Sequence, residues 1–208
     1  MIYLFDFDGT LVDSMPTFSR VMLRILDEAG IAYGDDIIKT VTPLGYAGAA
    51  RHFISLGLPL TERVAMERMN EYAQDDYLYR IQAKETVRET LHALRARGDS
   101  LNVLTASPHA VLDGCLARVG LLSLFDNVWS SDDFGTSKSD PDIYRRAAER
   151  LGCSTNELTF LDDNLGACLA ARAAGARVLG VFDPSSADSE DEMRKTLDGY
   201  VRTFSELL

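Results

Sequence analysis

Four short apolar segments constrain this chain most: Ile2–Phe5, Leu101–Leu104, Leu158–Leu161 and Val178–Val181. Each is dense in branched or aromatic residues, as expected of a strand buried on both faces of a parallel sheet. Amphipathic stretches lie between them. Val87, Leu91 and Leu94 recur at helical spacing. Ser107-Pro108 reads as an N-cap and first helical residue ahead of Leu112, Leu116 and Val119, and Asp140-Pro141 repeats that signal before Ile143, Ala147 and Leu151. An Ala- and Leu-rich helix is expected after Asn164, stopping at Gly175. Alternating strands and helices predict an α/β fold, a doubly wound (Rossmann-like) parallel sheet core with ligands at the carboxyl ends of its strands. Residues 15–81 break the alternation, with helical periodicity and no buried strand. They are expected to form an inserted helical subdomain, leaving residues 1–14 and 82–208 as the core.

Composition narrows the function. The 208 residues carry a net charge of -11, which argues against a nucleic-acid partner, since phosphate-backbone binding leaves a basic footprint. An acidic protein still takes a phosphate ester when a divalent cation stands between the two. No apolar run is long enough for a membrane span and no secretory signal is visible, so a cytoplasmic protein is expected. Cys115, Cys153 and Cys168 fit no zinc or redox spacing and read as packed, reduced thiols.

The chemistry concentrates at strand ends. Asp6-Phe7-Asp8-Gly9-Thr10 closes the first apolar run. Asp6 and Asp8, two residues apart, are expected to begin on one face. Two such carboxylates repel unless they share a cation, and Mg2+, a hard ion with oxygen ligands, answers that need. Gly9 permits a sharp turn and close backbone approach to a ligand. Asp162-Asp163-Asn164 ends another apolar run, so four carboxylates are placed to converge on one metal, although Asp and Asn also serve as ordinary helix caps. Thr105, followed by Ala106 and a helix start, offers a hydroxyl and N–H groups to a phosphate. Lys138, ahead of Asp140, offers a neutralising charge.

In this order, Asp6-Phe7-Asp8-Gly9-Thr10, Thr105, Lys138 before Asp140-Pro141-Asp142, and Asp162-Asp163 resemble the four motifs of the haloacid dehalogenase superfamily. The helical insert lies where that family carries a C1-type cap. The resemblance implies a phosphatase with Asp6 as nucleophile and Asp8 as acid and then base. Thr105 and Lys138 would hold phosphoryl oxygens. Mg2+ would be bound by Asp6, the Asp8 backbone carbonyl and Asp163, with Asp162 in support. Ser139 stands where the family often has proline, and no further acid follows Asp163 at four or five residues.

Within the family, the acid at position 8 argues against dehalogenases and phosphonoacetaldehyde hydrolases. The β-phosphoglucomutase branch is the nearer alternative, but Phe18 occupies the place of its hinge histidine. Asp13-Ser14-Met15-Pro16 is similar to phosphoglycolate-phosphatase-like members, which implies a small phosphorylated metabolite as substrate. Lys39, Arg51 and His52 are the candidate substrate contacts of the cap. A catalytically silent metal- or phosphate-binding module remains the alternative from outside the enzymes.

Overall fold

A computed structural model describes residues 1–41 and 45–208, with residues 18, 39, 45 and 46 described by backbone alone. Six parallel strands form one sheet: β1 (Ile2–Phe5), β2 (Ser100–Thr105), β3 (Asn127–Ser130), β4 (Leu158–Asp162), β5 (Arg177–Val181) and β6 (Gly199–Val201). Their order is β3-β2-β1-β4-β5-β6. This is the doubly wound order, in which the direction of winding reverses beside β1 and opens a crevice at the strands' carboxyl ends.

The apolar runs behave as double-sided strands because neighbouring side chains serve opposite cores. Leu4, Leu104, Leu158, Phe160 and Val178 pack with Ile143, Tyr144, Ala147, Cys168, Ala171 and Met193. These last six come from helices α7 (Asp142–Leu151), α8 (Leu165–Ala174) and α9 (Glu190–Thr196). Tyr3 and Phe5 stack at 5.6 Å, and Phe5 stacks on Phe204 at 5.8 Å. Helix α5 (Val87–Ala96) buries the expected Val87, Leu91 and Leu94, and α6 (His109–Arg118) buries Leu112 and Leu116. Gly175 ends α8 in the left-handed conformation, as read from the sequence.

Two helix starts differ from expectation. Pro108 and Pro141, not Ser107 and Asp140, hold the N-cap positions of α6 and α7. Ser107 fails as a cap because its hydroxyl is spent on Asp8, whereas Asp140 still accepts from the Asp142 N–H at 2.9 Å.

By contact density the chain divides into two compact units, residues 1–13 with 82–208, and residues 14–81. The second unit holds α1 (Met15–Ala29), α2 (Ile37–Val41), α3 (Gly45–Ser55) and α4 (Glu62–Tyr79). Its own core includes Met22, Ile25, Leu26, Phe53, Ala65 and Met69. Among the described residues no helix is long and apolar enough to cross a membrane. All three cysteines are free, with Cys115 and Cys168 buried.

Candidate active site

Strand register brings two acidic segments together. Phe5 pairs with Leu161, so Asp6 follows β1 beside Asp162 at the end of β4, and the Asp6 N–H donates to the Leu161 carbonyl at 2.8 Å. Carboxylate oxygens of Asp6, Asp162 and Asp163 all lie within 4.8 Å of one another, and all three residues are buried.

Lys138 enters this cluster from the loop before α7. Its Nζ donates to Asp6 Oδ1 at 2.5 Å and to Asp162 Oδ2 at 2.8 Å. The Tyr144 hydroxyl donates to the Lys138 carbonyl at 2.9 Å and steadies that loop. Burial works against the Lys138 ammonium, but the Asp162 and Asp6 charges outweigh it and hold its pKa above the ordinary value. Burial, followed by the charge of Asp162, raises the Asp6 carboxyl against the pull of Lys138. Burial, then Asp162 and Asp183, push the Asp163 carboxyl up to about 7.

Not all four carboxylates converge. Strand geometry ends at Phe5, so the alternation that would align Asp6 with Asp8 does not carry through, and Asp8 lies in an isolated bridge to Val12. Its Oδ2 accepts from Ser107 Oγ at 2.5 Å instead of joining the triad. Thr105, at the end of β2, is buried, and its Oγ1 accepts from the Ser107 N–H at 3.1 Å; Ala106 beside it is exposed. Ser107 carries no signal of its own in the sequence, because a serine before a proline reads first as a helix cap.

Gly9 turns the chain here with φ of 71°, and a Cβ built on it would meet the Asp163 carboxylate. Thr10 Oγ1 donates to Asp163 Oδ1 at 3.3 Å. In the helical unit Arg51 pairs with Glu62 at 2.6 Å on the surface, and the His52 ring lies against Phe53. The side chains of Lys39 and Phe18 lie outside the described residues.

The donor set suits a hard divalent cation. Three buried carboxylates facing a single ammonium carry an excess of negative charge that is costly away from water, and every ligand atom offered is oxygen. The arrangement brings three buried carboxylates and one lysine ammonium together at the ends of two adjacent strands.

Comparison with known proteins points the same way. A family model described as haloacid dehalogenase-like hydrolase matches residues 3–181. Pyrophosphatase PpaX of Bacillus velezensis is 30% identical over 181 residues, covering 86% of this chain and 81% of that protein. A phosphoglycolate phosphatase of Nitrosospira multiformis is 30% identical over 186 residues, with the same 86% and 81% shares. The crystal structure of a HAD family hydrolase from Deinococcus radiodurans, with bound phosphate and sodium, matches at a TM-score of 0.79 and 26% identity, covering 99% of this chain and 92% of that one.

Proposed function

The chain belongs to the haloacid dehalogenase-like hydrolases, and within that family we propose that it is a Mg2+-dependent phosphatase of small phosphate monoesters with Asp6 as nucleophile. One observation carries this reading: Asp6, Lys138, Asp162 and Asp163 meet at the carboxyl ends of two adjacent parallel strands. The activities named for the two relatives, and the phosphate bound in the Deinococcus hydrolase, support phosphoryl chemistry on a small substrate. A substrate of the phosphoglycolate or sugar-phosphate kind fits best.

Asp6 and Asp163 would hold Mg2+ through their carboxylates and Asp8 through its backbone carbonyl, with Asp162 in support. When bound, the ion supplies positive charge that offsets the carboxylates and the phosphoryl oxygens. Lys138, the Thr105 hydroxyl and the Ala106 N–H orient those oxygens, and positioning is most of what phosphoryl transfer asks of a protein. An Asp6 oxygen forms a bond to phosphorus as the bond to the ester oxygen breaks, and Asp8 gives that departing alkoxide its proton. The Asp8 carboxylate then takes a proton from water, which attacks the aspartyl-phosphate, releasing inorganic phosphate and restoring Asp6. Ser107, bonded to Asp8, aims this acid.

The test is phosphate release from an aryl phosphate, then from phosphoglycolate, sugar phosphates, nucleotides and pyrophosphate, with Mg2+ and with EDTA. Mg2+-dependent release that Asp6→Asn abolishes is expected. A wild-type protein inert toward the whole panel with Mg2+ would sink the reading.

A further inference from the structure

Lys138 serves the acidic cluster, and a second largely buried lysine, Lys84, has no role assigned above. The segment that carries it is zipped by backbone to the loop after β1. Asp13 N–H donates to the Gln82 carbonyl at 3.0 Å, Lys84 N–H donates to the Leu11 carbonyl at 3.0 Å, and Val12 and Ala83 form an antiparallel bridge. The Lys84 side chain, 18% exposed, has three acceptors for its three protons. They are the Gly9 carbonyl at 2.7 Å, the Phe182 carbonyl at 2.5 Å and Asp183 Oδ2 at 3.1 Å.

Asp183 is a fixed anchor, buried, its Oδ1 accepting from the Ser185 N–H at 2.9 Å and the Ser185 hydroxyl at 2.6 Å. Lys84 thus straps the residues after β5 to the Gly9 turn. Both backbone polar groups of Gly9 are held: its N–H donates to the Val12 carbonyl at 3.0 Å and its carbonyl accepts from Lys84, at a position where a built Cβ would stand 2.7 Å from Asp163 Oδ2.

We propose that Lys84 is a positioning residue for the acidic cluster: by holding the Gly9 carbonyl it seats the turn against Asp163 and sets how tightly Asp6, Asp162 and Asp163 take a divalent cation. The proposal rests on the phosphatase reading above. Lys84 touches neither substrate nor reacting atoms in it.

Lys84→Met alone would strand a buried Asp183 charge, so the informative variant is Lys84→Met with Asp183→Asn, which removes both charges together. Lys84→Arg is the second variant. It keeps a cation beside Asp183 and so guards against misfolding, but a planar guanidinium cannot set one point donor among three acceptors. Mg2+ binding is measured by calorimetry on the intact chain without substrate, folding is checked by circular dichroism, and kcat and KM for an aryl phosphate are taken at saturating Mg2+. Mg2+ binding weaker by about tenfold or more, the worth of one charge-assisted hydrogen bond, is expected in both variants, with KM within about twofold of wild type. Wild-type Mg2+ affinity in either folded variant would overturn the proposal. A wild-type chain that binds no Mg2+ and releases no phosphate would instead remove the phosphatase reading, and this proposal with it.

Discussion

Gly9 lies so close to Asp163 that a Cβ built on it would stand 2.7 Å from Oδ2 and 2.8 Å from Cγ. The position also has φ of 71°, where a side chain is strained. Gly9→Ala therefore pushes an acid of the cluster aside while storing strain of about 1–2 kcal/mol. Thermal melting is expected to shift down by roughly 2–8 °C for a chain of this size, with weaker Mg2+ binding alongside. A melt and a Mg2+ titration that both match wild type would contradict the close contact.

Lys138 is the ammonium that joins Asp6 to Asp162. Lys138→Met leaves two buried carboxylates without it, and breaking a buried pair in this way costs about 3–5 kcal/mol. Urea denaturation in EDTA is expected to show that loss, and saturating Mg2+ to return part of it. Turnover should fall by roughly a hundredfold or more, because a preorganised charge on the phosphoryl oxygens is gone.

The sheet was readable where strands are covered on both faces and opaque at its edges. β1, β2, β4 and β5 announce themselves as apolar runs because each must fill two cores. β3, Asn127–Ser130, is a half-buried edge strand, and β6 is three residues long and begins with glycine, so neither forms an apolar run. In the site, Asp6, Asp162 and Asp163 could be picked out because acids at strand ends are conspicuous, and Lys138, a lone loop lysine, only through the family resemblance; the structure brings those side chains together. Ser107 and Lys84 could not. One is masked by its proline, and the other bonds mainly to backbone carbonyls, which leave no trace in residue types.

Between about pH 5 and 7, stability of the metal-free protein should fall as pH rises. The Asp163 carboxyl, pushed up to about 7 from an ordinary value of 3.8, holds its proton more tightly folded than unfolded. Its contribution is complete below the unfolded value and is lost as pH climbs through about 7. Asp6 is shifted in the same direction. Melting curves in EDTA across this range are expected to decline with pH, and the decline to flatten in saturating Mg2+, which competes with those protons. A metal-free protein that gains stability from pH 5 to about 7 would contradict the burial of these acids.

Ser107 Oγ donates to Asp8 Oδ2 at 2.5 Å. Ser107→Ala should lower kcat by roughly tenfold to a hundredfold, as expected for losing a hydrogen bond to a charged group, while Mg2+ binding stays near wild type. A loss confined to KM would place Ser107 on the substrate instead of on Asp8.

The most direct measurement is to quench the wild-type protein in acid during turnover of an aryl phosphate and locate any covalent phosphoryl group by peptide mass spectrometry. The adduct is expected on Asp6 with Mg2+ present, absent with EDTA and absent in Asp6→Asn. Steady turnover with no adduct, or with the phosphoryl group on another residue, would contradict it.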